Sequence, residues 1–472
     1  MTTTLTSYVC GAWHTGTGTP RPLFNPTTDE QLAVCDSTGI DFAKVAAHAR
    51  DIGGPALRAV GFATRAGWLK QLANAIHEHR EELVELATKN GGNTRGDAKF
   101  DIDGATGTLA AYASFGKHLP DTNVLVDGDG VQLGRTARYW GQHVRVPRLG
   151  VAVHINAFNF PAWGAAEKMA CALLAGIPVI EKPGTPSALV AWRMAQIVVE
   201  SGVLPEGAFQ FVGGGVGDLL DHLGPQDCLA FTGSAWTGRK LKAHPAFVER
   251  NARINIEADS LNSAILGPKS DGDTEVFTMF VNQVFTDMTQ KCGQKCTAVR
   301  RILVPEDRVD EVREAIEDRI ASLKIGDPSD GDNRMGPLAS ADALDDVLGG
   351  IGKLGEVADI VVGGPERRGD AGCFVNPTLL VAKDANADVL HELEVFGPVS
   401  TILPYSGSAE DAIALTNRGG GGLVASVFSN DKQWSSDVVL GIAPWHGRVC
   451  MGSDKVASLA MPSGMVLPQM VH

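Results

Sequence analysis

The feature that most constrains this chain is an alternation of short apolar runs and helical patterns in its middle third. Val151–Ile155, Ile177–Glu181, Phe209–Val212 and Leu229–Phe231 have the length and residue types of buried strands. Helix-period patterns fill the intervals at about 162–175, 187–201, 216–223 and 236–243. A strand that rejoins its sheet through a helix makes a right-handed crossover, so this series predicts a parallel sheet covered on both faces. Ligands of such sheets bind beyond the carboxyl ends of the strands. The last third repeats the theme. A strand at Arg301–Val304 precedes a helix carrying Val309, Val312, Ile316 and Leu323, and further strands are expected near 360–363, 398–403, 423–429 and 448–451. The chain of 472 residues has room for this second α/β domain.

The first fifty residues read as short strands and turns. One long amphipathic helix is expected through Leu69, Leu72, Ile76 and Leu83, stopped by Asn90-Gly91-Gly92. Lys plus Arg is 41 against 55 Asp plus Glu, a formal charge of −14, and no basic block stands out. That balance argues against nucleic acid and anionic membranes as partners. No apolar run reaches the ~18 residues of a membrane span. The 8 cysteines are scattered and the first residues carry no basic start, so free thiols in a reducing cytoplasm are expected.

Four islands carry candidate chemistry. Lys291-Cys292-Gly293-Gln294-Lys295-Cys296-Thr297 sets a thiol beside glycine and two lysines, whose charge is expected to lower its pKa and favour the nucleophilic thiolate. Cys296 ranks above Cys292 because it follows the Gly-Gln pair. Ile254-Asn255-Ile256-Glu257 ends a strand pattern on a carboxylate that, in a partly apolar setting, can activate water to release an acyl group. Asn156-Ala157-Phe158-Asn159-Phe160-Pro161 follows the first parallel strand, where the Asn159 amide is placed to hold an oxyanion. Lys182-Pro183 and Phe231-Thr232-Gly233-Ser234 follow other strands and are candidates for ribose, phosphate or nicotinamide contacts. Gly213-Gly214-Gly215-Val216-Gly217-Asp218 does not complete G-x-G-x-x-G, because position 218 is Asp. Read singly, each island has a plainer reading: a buried core cysteine, an exposed strand-end acid, an Asx-turn before a helix.

Read together and in order, they resemble the aldehyde dehydrogenase superfamily. Its Asn-Phe-Pro, Lys-Pro, Phe-Thr-Gly-Ser, glutamate, Gly-Gln-x-Cys and Glu-x-Phe-Gly-Pro sites match Asn159–Pro161, Lys182-Pro183, Phe231–Ser234, Glu257, Gly293–Cys296 and Glu394–Pro398. The resemblance implies that Cys296 attacks the aldehyde, Asn159 and the Cys296 N–H hold the oxyanion, and Glu257 activates water. It implies cofactor contacts at Lys182, Thr185, Phe231, Gly233, Ser234, Glu394 and Phe396, and no metal. The implied fold is two doubly wound parallel-sheet domains with a β-hairpin oligomerisation arm. Residues 1–127 and 149–258 are assigned to the dinucleotide-binding domain, 259–452 to the catalytic domain, and 128–148 and 453–472 to the oligomerisation segments.

Departures from the common pattern narrow the expectation. Phe158 stands where Trp is usual, and Glu257-Ala258-Asp259-Ser260-Leu261-Asn262 replaces Glu-Leu-Gly-Gly-Lys-Ser. These variants resemble the sub-group that oxidises CoA-linked semialdehydes in aerobic phenylacetate and benzoate breakdown, with Leu467–His472 nearer the phenylacetate branch. Thr185 occupies the place where many NAD-specific members carry a ribose-binding Glu, so NADP is expected to be preferred, with NAD possible. Family members continue beyond the position of His472. A missing tail is therefore expected, with a homodimer or larger assembly if that tail is dispensable. The alternatives are a CoA-acylating enzyme, which usually lacks the glutamate base, or a catalytically impaired homologue.

Overall fold

The computed structural model describes residues 3–459. Two seven-stranded sheets carry the fold. The first runs Arg253–Glu257, Cys228–Thr232, Ala152–Ile155, Val179–Lys182, Phe209–Phe211, Ser7–Val9, Ala12–His14. Its first five strands are parallel and the last two are antiparallel additions. The chain moves from Ala152–Ile155 outward to Val179–Lys182 and Phe209–Phe211, then crosses back to Cys228–Thr232 on the other side. Strand order thus reverses beside Ala152–Ile155, and a crevice at that carboxyl end is the expected place for a ligand. Val153, Val179 and Ile180 are fully buried, as strands covered on both faces require.

The second sheet runs Ala358–Val362, Thr378–Ala382, Val399–Tyr405, Val299–Pro305, Asn262–Leu266, Gly422–Phe428, His446–Gly452, with only Ala358–Val362 antiparallel. The helix Glu275–Thr289 packs Val276, Phe280 and Val284 into its core. On the first sheet the helices Phe62–Glu78, Arg95–Gly116, Trp163–Leu174 and Ala188–Glu200 form the largest core cluster.

Two expectations need correction. The long helix is two: Phe62–Glu78 stops at His79, and Arg80–Gly91 begins there with Glu81 and Glu82 in its first turn. Acids favour a helix start, while the apolar spacing runs through the break unchanged. Gly92, at φ +65, ends the second helix in the left-handed cap the sequence predicts. The helix expected at 216–223 is a single turn, Leu219–His222. Its glycines serve contacts with the N-terminal segment: Gly213 N–H donates to Ser7 Oγ at 2.9 Å, and Gly217 lies against the Phe42 ring.

Leu125–Gln132 and Trp140–Arg145 form a separate two-stranded hairpin, on which Val126, Val131 and Trp140 are exposed. Of the segment expected to bridge subunits, residues 460–472 lie outside the described residues.

Candidate active site

Four parallel strands of the first sheet deliver candidate residues to one rim. Asn159 lies in the loop after Ala152–Ile155, Lys182 ends Val179–Lys182, Gly233 and Ser234 follow Cys228–Thr232, and Glu257 ends Arg253–Glu257. In-register pairing sets Thr232 beside Glu257. Thr232 Oγ1 donates to Glu257 Oε2 at 3.2 Å, and Gly233 N–H donates to the Glu257 carbonyl at 3.1 Å. Ser234 is exposed and caps Ala235–Lys242. Gly184 lies so close to Phe158 that a Cβ would sit 2.6 Å from its backbone nitrogen. The Lys182–Thr185 turn and the Asn159 loop are thereby pressed together, a contact only glycine permits.

The nucleophile loop comes from the second half. After Glu275–Thr289, Lys291, Cys292 and Gly293 all take left-handed backbone, at φ 54, 53 and 67. A Cβ on Gly293 would lie 2.1 Å from the Gly397 carbonyl oxygen, so glycine is required where the two loops cross. Gln294 pins the turn: its Nε2 donates to the Lys291 carbonyl at 3.1 Å and its Oε1 accepts from Ala339 N–H at 3.0 Å. Cys292 is buried among apolar side chains, whereas Cys296 keeps partial exposure. Burial and the charge of the Glu257 carboxylate raise the Cys296 thiol well above its ordinary pKa. The Lys295 carbonyl accepts from Ala298 N–H (3.1 Å) and Arg300 Nη2 (3.3 Å), which fixes the peptide whose N–H belongs to Cys296.

The lysine expectation fails. Lys295 Nζ pairs with Asp287 Oδ1 at 2.7 Å and with Gln290 Oε1 at 2.9 Å; Lys291 Nζ bonds Asn93 Oδ1 at 2.9 Å. Both ammonium groups are committed to buried partners, and the groups acting on Cys296 are carboxylates. The thiol is therefore held protonated at rest, the reverse of what spacing alone predicts.

Phe396 joins the two halves. Phe396 makes an edge contact with Phe158, ring centroids 5.9 Å apart, which ties this segment to the Asn159 loop. Glu394 Oε2 accepts from Ser260 N–H at 3.1 Å, and Oε1 lies 3.5 Å from Arg300 Nε. Burial pushes the Glu394 carboxyl up to about 7, against the opposing pull of Arg300. Asn159 is 8% exposed and its amide has no hydrogen-bond partner among the described residues. An amide at the rim with no protein partner is placed to donate to something that binds.

Phe231 is buried, its ring lying under Gly233 and Gly238, so it supports the turn from beneath. Sequence reasoning missed Asn262. Its Nδ2 donates to the carbonyls of Cys296 (2.7 Å) and Ala298 (3.0 Å), while its Oδ1 accepts from Ser260 Oγ and Val424 N–H. The available signal was a polar pair, Asn262-Ser263, opening an otherwise apolar strand. Arg300 was missed too: it binds the Gly293 and Gly397 carbonyls and stacks on Phe396.

The donor set suits a nicotinamide dinucleotide. Lys182 and Thr185 on one side and Ser234 on the other follow strands that flank the point where strand order reverses, and offer an ammonium and two hydroxyls. The one carboxylate nearby on that strand, Glu181, is turned inward, bonded to His154 Nδ1 (2.5 Å) and Asn156 Nδ2 (2.8 Å).

Comparison with known proteins agrees with this geometry. A family model described as "Aldehyde dehydrogenase family" matches residues 13–457. The 3,4-dehydroadipyl-CoA semialdehyde dehydrogenase of Aromatoleum evansii is 44% identical over 99% of this chain and 92% of its own. A betaine aldehyde dehydrogenase of Vibrio vulnificus is 30% identical over 90% of this chain and 84% of its own. Among solved structures, betaine aldehyde dehydrogenase from Staphylococcus aureus in complex with NAD+ is 25% identical, with TM-score 0.84 over 95% of this chain and 86% of that one. The chain belongs to the aldehyde dehydrogenase family and is an NAD(P)-dependent oxidoreductase.

Proposed function

We propose that this enzyme oxidises a CoA-linked semialdehyde to the acid through a thioester on Cys296. The observation that supports the chemistry is that the Cys296 thiol lies under the charge of the Glu257 carboxylate, which shares the strand-end rim of the first sheet with the Asn159 loop. Glu257 takes the thiol proton as sulfur attacks the carbonyl carbon. The carbonyl oxygen gains the electron pair, and the Asn159 amide with the Cys296 N–H donates to it. Lys182, Thr185, Gly233, Ser234, Glu394 and Phe396 are the residues that would hold a nicotinamide dinucleotide, with Phe231 supporting the turn, and the group would supply a hydride acceptor there, so that the thiohemiacetal on Cys296 would become a thioester. Glu257 passes the thiol proton on to solvent and, again a carboxylate, deprotonates water; the water oxygen adds to the thioester carbon, the C–S bond breaks, and the acid leaves with the Cys296 thiolate restored.

The substrate class rests on the 44% identical relative and on the sub-group residues at 155–161, 257–262 and 293–298. A glutamate base favours release by water over release by free CoA. NADP is preferred because Thr185 leaves no carboxylate to repel a 2′-phosphate, and Lys182 feels the positive charge of Arg21. In this reading residues 1–127 and 149–258 bind the cofactor, 259–452 supply the nucleophile, and the exposed hairpin pairs copies into a homodimer or larger assembly. Eight free thiols suit a cytoplasmic enzyme.

The test is kcat/KM for NADP and NAD across free aldehydes and CoA-linked semialdehydes, with no free CoA added. The expected result is NADP reduction with acid release, fastest on a CoA-linked semialdehyde. Tenfold better use of NAD overturns the cofactor assignment. A requirement for free CoA, or no turnover of any aldehyde, overturns the mechanism.

A further inference from the structure

The mechanism above makes no use of Lys291, yet this side chain is among the most committed in the molecule. It is buried, at 4% exposed, on left-handed backbone that β-carbon-bearing residues seldom adopt. Such a conformation persists where its surroundings over-determine it. A turn alone would be served by glycine or asparagine; lysine adds a charge and a reach of several bonds.

What it reaches is the start of the helix Arg95–Gly116. Nζ donates to Asn93 Oδ1 at 2.9 Å and lies 4.7 Å from the centroid of the Phe160 ring. Asp97 and Asp101, one turn apart on that helix, are 5% and 0% exposed, and both carboxylates act electrostatically on the Lys291 amine. Asp97 accepts from Thr94 Oγ1 at 2.7 Å, and the backbone of Lys291 lowers its pKa against the rise from burial. Asp101 accepts from Trp163 N–H (2.8 Å) and Ala162 N–H (3.2 Å), at the start of the helix that follows Asn159-Phe160-Pro161. One helix face therefore holds the oxyanion-donor loop through Asp101 and the nucleophile loop through Asp97. Lys291 stands in the field of both carboxylates, holds Asn93 and covers the ring next to Asn159.

We infer that Lys291 is a positioning residue, which with Asp97 and Asp101 sets the loop of Asn159 in register with the loop of Cys296. The inference rests on the reading of those two residues given above. Two donors must converge on one oxygen, and a displacement of about 1 Å costs on the order of 100-fold in rate. Lys291 touches neither substrate nor sulfur, so its effect falls on alignment and not on the intrinsic reactivity of the thiol.

The experiment compares Lys291→Met and the double variant Lys291→Met with Asp101→Asn, which restores the net charge of the cluster and carries the test if the single variant does not fold. Four quantities are measured: kcat and KM for aldehyde oxidation per titratable active thiol, NADPH affinity by fluorescence, and the rate of Cys296 alkylation by iodoacetamide. The expected result is a kcat lower by roughly 10- to 100-fold, with KM, cofactor affinity and alkylation within about twofold of the parent. A folded double variant with kcat per thiol within twofold of the parent overturns the inference. So does a parallel fall in alkylation, because the thiol itself would then have moved. An unsubstituted enzyme that alkylates at Cys296 but oxidises no aldehyde condemns the functional reading instead, and the two failures are thereby told apart.

Discussion

The two rims that meet at Cys296 are built on different principles. The rim of the first sheet is made of backbone turns at strand ends, with Ser234 exposed and Lys182 half-buried. The rim of the second sheet is made of buried charge. Lys295–Asp287 at 2.7 Å has side chains 4% and 5% exposed, and Arg300–Glu394 at 3.5 Å has side chains 4% and 6% exposed. A cofactor that must arrive and leave is served by the open rim. Groups that must meet a reacting carbon within tenths of an ångström are served by the rim whose hydrogen bonds are already made. The comparison teaches that binding and chemistry should fail separately when either rim is altered.

The largest expected separation comes from Cys296→Ser. Oxidation falls by roughly 10⁴-fold or more, since the hydroxyl is a far weaker nucleophile, while NADPH affinity measured by fluorescence stays within about twofold. Loss of cofactor affinity in step with turnover would break the division into two rims.

Next is the stability of the buried rim. Lys295→Met removes a buried ammonium bonded to Asp287 and Gln290, which costs up to about 3 kcal/mol. Urea unfolding reads this against Lys44→Met, whose pair with Asp41 is 79% and 50% exposed and should contribute little. Equal shifts in the two variants would show that burial is not what distinguishes the second rim.

A pH series sharpens the comparison further. Glu394 has a folded pKa of about 7 against an ordinary value of 4.5. Between those values the folded chain holds a proton that the unfolded chain has lost. Stability from this group is therefore complete below about 4.5 and declines as pH rises towards 7, by about 3 kcal/mol in total. Glu394→Gln is expected to flatten that slope in urea midpoints taken from pH 5 to 8. An unchanged slope would mean that the carboxyl ionises freely where it stands.

The smallest effect tests the open rim. Thr185→Glu sets a carboxylate where the 2′-phosphate of NADP is proposed to lie, and the NADP-to-NAD ratio of kcat/KM should drop at least tenfold, about 1.4 kcal/mol. A ratio that does not move would place the phosphate elsewhere.

Much of this architecture was legible in the residue order. The strand runs at Val151–Ile155, Ile177–Glu181, Phe209–Val212 and Leu229–Phe231 all lie on strands shifted by no more than two residues at either end. Strands covered on both faces must be continuously apolar, and that signal is local. Asn159, Lys182, Ser234 and Glu257 stood out as candidates for a related reason: each sits at or just past the carboxyl end of an apolar run. The failures are also of one kind. The break at His79 leaves the apolar spacing intact and so left no trace in it. The helix expected at 216–223 shrinks to one turn because the partners of the preceding glycines, Ser7, Ser37 and Phe42, are remote in sequence.

By itself, the sequence determined which residues end strands, where the turns require glycine, and which thiol follows the Gly-Gln pair. Those properties depend on backbone sterics and on two short periodicities. Only the tertiary structure decided where the buried side chains point. Lys291 finds Asn93 at a separation of 198 residues, Glu394 finds Ser260 across 134, and Lys295 turns from the thiol towards Asp287. A buried charge takes the direction in which its desolvation is offset, and that direction exists only once distant segments have packed.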